Sequence, residues 1–221
     1  MVIAQIVTDV SPPPEETLSV FQLALEGGFM MIPILICSLI SIYIFFERFF
    51  TINKASMNPD SFVSKIKEMV LEGDIDGAKM LCGQFDNPIS RMIEKGISRI
   101  GSPLKNIEAS IENIAKIELF NLEKNLSVLA TVSGVAPMMG FLGTVIGMVE
   151  AFIAIANQEG TVSPALLSSG IYTAMITTIA GLIVGILSFL AYNFLVTRVS
   201  KIVHKMEYSA IEFIDLLQEQ R

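Results

Sequence analysis

Apolar residues follow two patterns along this chain. In three intervals, 27–46, 125–149 and 160–197, they run on uninterrupted by Asp, Glu, Lys or Arg. A bilayer core about 30 Å thick takes about 20 helical residues to cross, so each interval is expected to hold a span. The third could hold two only if both were very short. It also opens on Thr161, Ser163, Ser168 and Ser169, which predicts one span near 168–196. Elsewhere the apolar positions recur at helical spacing. Leu104, Ile107, Ile111, Ile114, Leu119, Leu122 and Leu126 follow Pro103 with no breaker, predicting a helix that continues into the second span. Val199, Ile202, Val203, Met206, Ile211, Phe213, Leu216 and Leu217 likewise carry the third beyond the bilayer.

Between the first and second spans, Asn58-Pro59-Asp60, Gly73-Asp74, Asn87-Pro88 and Gly101-Ser102-Pro103 punctuate three short helices and one long one. Ahead of the first span, Ser11-Pro12-Pro13-Pro14-Glu15-Glu16 is a helix-start signal. It predicts a short amphipathic helix on the outer interface, ended by Gly27-Gly28. The expected fold is therefore an all-α membrane protein with three transmembrane helices and helical extensions into the cytoplasm. Its segments are 1–28 outside, 29–50 as first span, 51–126 in the cytoplasm, 127–154 as second span, 155–167 as a short outer loop, 168–197 as third span and 198–221 as a cytoplasmic helix.

Composition agrees with a membrane solvent: 52% of residues are hydrophobic, 17% are charged and the mean hydropathy is +0.61. Charge adds direction. All 15 Lys and Arg lie in 48–126 and 198–221, whereas 1–47 and 127–197 carry only acids. Basic residues resist translocation, which predicts an outer N-terminus and a cytoplasmic C-terminus. Met1–Val10 lacks the basic start and apolar length of a leader, so the first span is expected to serve as insertion signal. Within 51–126, ten basic and eleven acidic residues are mixed, a pattern of helix solubility and subunit contact rather than of a nucleic-acid or lipid patch. Cys37 in the first span and Cys82 in the cytoplasmic part are too separated for a disulfide.

The second span places Gly140, Gly143, Thr144 and Gly147 at i, i+3, i+4 and i+7, stripping one face of side chains. The third places Gly170, Ala174, Gly181, Gly185 and Ser188 on a similar stripe, flanked by Thr173, Thr177 and Thr178. Such faces mark close helix–helix contact in lipid, either within one chain or between neighbours in a ring. Helical Thr can satisfy itself on a preceding carbonyl, so the three hydroxyls point only weakly to a pore. Glu150, near the outer end of the second span, is either a group that snorkels to the interface or a proton entry group at a pore mouth. His204 reads as a surface residue. Asp74 and Asp76 before Gly77 lack the remaining acids of a calcium loop and read as a turn and helix cap. No phosphate loop, nucleophile elbow or metal-ligand cluster is found, so neither an enzyme nor a cofactor is expected.

The run Ala136-Pro137-x-x-Gly140-x-x-Gly143-Thr144-Val145-x-Gly147-Met148 resembles the second-span signature of the ExbB/TolQ/MotA family. Thr178-x-x-Gly181-Leu182 through Ala191-Tyr192-Asn193 resembles the third-span signature, and Glu47-Arg48, Gly73-Asp74 with Ala78 and the order of spans also match. The resemblance covers nearly the whole chain. Three spans argue against a MotA-like member, which has four.

The resemblance implies a proton-motive-force-driven motor subunit of the bacterial inner membrane, most similar to ExbB, with TolQ of the Tol-Pal system as the alternative. It implies a homopentamer around single-span partners of the ExbD/TolR type, working with a TonB/TolA-type protein. It places Thr144 and Thr178 opposite a partner aspartate that carries the proton, with Thr173 and Thr177 beside them, and Gly140, Gly143, Gly147, Gly181 and Gly185 in ring packing. One departure stands out: many relatives have a third-span glutamate where this chain has Thr173, so its relay role does not carry over. Two other classes remain, a stand-alone transporter and a membrane scaffold. The first predicts broken helices or inverted repeats, which three unbroken spans do not offer.

Overall fold

A computed structural model of the chain describes residues 27–56, 60–157 and 164–219. The expected interfacial helix before Gly27 lies outside them. The described part is all-helical, in the order α1 Met31–Ala55, α2 Asp60–Leu71, α3 Ile75–Gly83, α4 Pro88–Ile97, α5 Leu104–Glu123, α6 Leu126–Ala156 and α7 Pro164–Glu219. Three stretches are long and apolar enough to cross a membrane, in α1, in α6 and in α7 from Gly170 onward. The protein is thus an all-α, multi-pass membrane protein.

Local chemistry sets the short helices. Asn87 caps α4 by accepting from the Ser90 amide at 2.9 Å, with Pro88 filling the first turn. Asp74 caps α3 by accepting from the Gly77 amide at 2.9 Å. Gly73 and Gly101 stand at φ 81° and 95°, the left-handed region where a side chain is strained.

One expectation fails. The helix after Pro103 does not run unbroken into the second span, because Lys124 is extended (ψ 136°) and Asn125 left-handed (φ 62°), separating α5 from α6. Asparagine tolerates this conformation, so the break carries no Pro or Gly signal. The break leaves the Asn121 carbonyl without its helical donor. Arg48 of α1, only 5% exposed, supplies one: its Nη1 donates to that carbonyl at 3.0 Å while its Nε donates to Glu47 at 2.6 Å. The charged pair ending the first span thus braces the elbow.

Most of the side-chain core lies outside the membrane-spanning part, reaching into it at Ile44, Leu129 and Leu195. Phe62, Ile66, Met92, Ile93, Ile111 and Phe213 belong to one buried cluster built mainly from α2 to α5 and the second half of α7, joined by Ile44 and Ile52 of α1 and by Leu126 and Leu129 of α6. Gly96 makes this contact possible, since a Cβ there would stand 2.8 Å from the Phe213 ring and 2.9 Å from Ile111. Arg91 of α4 forms a two-pronged bond with Glu118 of α5 at 2.7 Å on each arm, and Asp86 pairs with Arg91 and with Lys54. Asp86 is held below the usual carboxylate range, first by its bond to Lys54 and then by the charges of Lys54 and Arg91. Burial, aided by Glu94, pushes the Cys82 thiol up to about 12.

Candidate membrane groove

α6 and α7 meet along their small-residue stripes. A Cβ on Gly181 would stand 2.6 Å from the Ala136 carbonyl oxygen and 2.9 Å from the Gly140 Cα, and one on Gly140 would stand 2.9 Å from the Thr177 carbonyl oxygen. Gly147 faces Gly170 and Ala174 in the same way, and Gly185 lies against the Pro137 ring. Partners fall in opposite sequence order, from Gly147 with Gly170 to Pro137 with Gly185, so the helices are antiparallel. Pro137 cannot donate to the Ser133 carbonyl, and Gly185 brings α7 close over that carbonyl, 3.1 Å from where its Cβ would be.

These glycines are consumed within one chain. The expectation that Gly140, Gly143, Gly147, Gly181 and Gly185 pack between neighbours in a ring therefore changes: each stripe's partner is the other stripe. In lipid the tightest contact available is backbone on backbone, and the two stripes of one hairpin meet before any neighbour is needed.

The four threonines separate. Thr177 is 2% exposed, donates to the Ala174 carbonyl at 2.7 Å and fills the hollow opposite Gly143. It is a packing group and lines no surface of the chain. Thr173 turns toward the start of α1, where its methyl lies near Gly28. Thr178 donates across the helix pair to the Gly140 carbonyl at 3.0 Å, and Thr144 donates to the Phe141 carbonyl at 2.6 Å. Both are half-buried. On helical wheels at about 100° per residue, Thr144 and Thr178 each sit about 50–60° from the centre of the packed strip. Because the helices are antiparallel, both offsets turn to the same side.

That side is the one away from α1, which packs on the opposite flank. There the Ser41 and Ser188 hydroxyls bond at 2.7 Å and Phe49 stacks on Phe194 at 6.3 Å. The structure therefore brings Thr144 and Thr178 to one groove. Glu150 is exposed and, on the same wheel, turned toward the α1 side, so it does not share that groove. Sequence reasoning missed the Ser41–Ser188 bond. Serines in two apolar spans are its only signal, and they do not reveal their pairing.

Both groove hydroxyls give their protons to backbone carbonyls. What they offer outward is a lone pair, and the groove walls contain no acidic or basic side chain, since 125–149 and 160–197 have no Asp, Glu, His, Lys or Arg. Among the described residues no cluster of His, Cys, Asp and Glu could hold a metal ion.

Comparison with known proteins gives the groove a setting. The family model described as the MotA/TolQ/ExbB proton channel family matches residues 84–208, more than half the chain and all of α6. An ExbB homolog of Methanothermobacter thermautotrophicus is 30% identical over 162 residues, 73% of this chain and 57% of that protein. The biopolymer transport protein exbB1 of Vibrio cholerae is 24% identical over 213 residues, 91% of this chain and 89% of its own length. The Tol-Pal system protein TolQ of Haemophilus influenzae is 36% identical over 104 residues, 47% of this chain and 45% of its own.

Proposed function

Given that this chain belongs to the MotA/TolQ/ExbB proton channel family, we propose that it is an ExbB-like motor subunit driven by the proton-motive force in the inner membrane. In this reading it forms a homopentameric ring around partner helices of the ExbD type and energises TonB-dependent outer-membrane transport. Its N-terminus is periplasmic and its C-terminus cytoplasmic, as the one-sided distribution of Lys and Arg favours.

One observation carries the reading: in a proton channel family, the groove holding Thr144 and Thr178 has no acidic or basic residue of its own. The proton carrier must then come from another chain. A carboxyl on a partner helix is costly in lipid when charged, and two hydroxyl oxygens with free lone pairs suit its protonated form, which needs an acceptor. Thr144 and Thr178 thereby hold the loaded state of the carboxyl, and release follows when it moves to water. Gly140, Gly143, Gly147, Gly181 and Gly185 keep the walls of each groove in register.

The test is proton flux into liposomes containing the protein with and without its single-span partner. Flux should require the partner and should fall in Thr144→Val/Thr178→Val while the complex remains assembled. Flux from this chain alone, or an unchanged double variant, defeats the reading. A TolQ-like role in the envelope is the second reading, favoured by the 36% identity to a TolQ over 104 residues. Complementation of strains lacking each system separates the two.

A further inference from the structure

Where α1 leaves the membrane its last turns and α7 enclose a cavity of about 230 Å³. Arg198, Lys201 and Lys205 line it from α7, and Phe49 and Asn53 from α1 with Ser56 just beyond its end, with no carboxylate among the lining residues. The three cations stand at i, i+3 and i+7, within about 60° of one helix face. Other cations nearby are engaged: Arg48 by Glu47 and the Asn121 carbonyl, Lys54 by Asp86. Arg198 lies 5.2 Å over the Phe194 ring, and neither it nor Lys201 pairs with a carboxylate among the described residues.

Depth identifies the ligand class. Arg198 is the first charge after the uncharged interval that ends at Thr197, so the cavity lies at headgroup level. Its aromatic wall, Phe49 stacked on Phe194, continues into apolar surface with Phe46 and Phe50 exposed. A soluble anion would use the cations alone. An amphiphile uses both, with phosphate on the basic face and acyl chains along the first span. We propose that this cavity binds the headgroup of an anionic phospholipid from the leaflet on the basic side of the protein. The cations come from 198–205, so the mixed charge of 51–126 does not oppose it. The site is remote from the Thr144–Thr178 groove and does not depend on its role.

Native mass spectrometry of the full chain in detergent tests this directly, with phosphatidylglycerol, phosphatidylcholine or inorganic phosphate added. The wild type should retain phosphatidylglycerol in preference to phosphatidylcholine, and Arg198→Gln/Lys201→Gln should lower retention roughly tenfold. A control with equal charge loss, Lys95→Gln/Arg99→Gln, should retain it as the wild type does. Circular dichroism confirms that the variants are folded. Equal retention of both lipids, equal loss in the control, or no loss in the cavity variant overturns the site. Displacement of phosphatidylglycerol by equimolar inorganic phosphate would assign the cavity to a soluble anion and overturn the lipid.

Discussion

The two halves of this molecule are held together by opposite means. Outside the membrane-spanning part, Phe62, Ile66, Met92, Ile93 and Phe213 are 4% exposed or less, and association removes apolar surface from water. In the α6–α7 hairpin the large apolar side chains point outward: Met138, Phe141, Met175 and Ile179 are all more than half exposed. Glycine, alanine and threonine occupy the contact instead. Lipid gives no reward for hiding a leucine, so stability there comes from backbone approach and hydrogen bonds such as Thr178 to Gly140.

The sharpest way to break this contrast is to truncate the aqueous core. Phe213→Ala should cost about 3–5 kcal/mol, read as a lowered denaturant midpoint for the extramembrane helices with the hairpin intact. Next comes the reverse change inside the membrane. Gly181→Leu drives a side chain into the Ala136 carbonyl and should cost about 3 kcal/mol or more, whereas Ile183→Ala, on the exposed face of the same helix, should cost under about 1 kcal/mol. Equal effects from these two variants in a detergent unfolding assay would refute backbone packing as the hairpin's main tie.

Smaller effects refine the picture. Arg91→Gln strips Glu118, whose side chain is 9% exposed, of both bonds. With Arg91 itself partly solvated, the loss should be about 1–2 kcal/mol. Thr178→Val should cost only about 0.6 kcal/mol, so it can report on proton movement without dismantling the hairpin. Two titrations complete the series. The Cys82 thiol, pushed up to about 12 from 9.0, favours the fold fully below 9.0 and loses that contribution as pH rises toward 12. Maleimide should therefore label it only after the core unfolds. Asp86, held low, works at the other end: its contribution is present above 3.8 and disappears as pH falls below that.

The spans were readable because charge is so costly in lipid that its absence over 20 residues is itself a signal, as in 27–46. The stripes containing Gly140 and Gly181 were readable for a similar reason, since spacing defines a helix face. Spacing does not say what a face meets, which is why ring packing gave way to packing within one chain. It likewise could not separate Thr177, sealed under Gly143, from Thr178 one residue later at the groove. The elbow at Lys124-Asn125 is silent in the sequence because asparagine enters the left-handed region without the composition cues of a loop, and its brace comes from Arg48, 73 residues from the Asn121 carbonyl it holds.

The unbroken α7 has a mechanical consequence. Thr178 in the groove and Phe213 in the aqueous core lie on one rod, separated by about 52 Å at 1.5 Å per residue. A tilt of about 5° at the groove would sweep the far end through about 4.5 Å, the rise of about three residues. α5 and α6 form no single rod of this kind, because the break at Lys124-Asn125, braced by Arg48, divides them. The chain thus pairs one continuous rod with a strut made of two pieces.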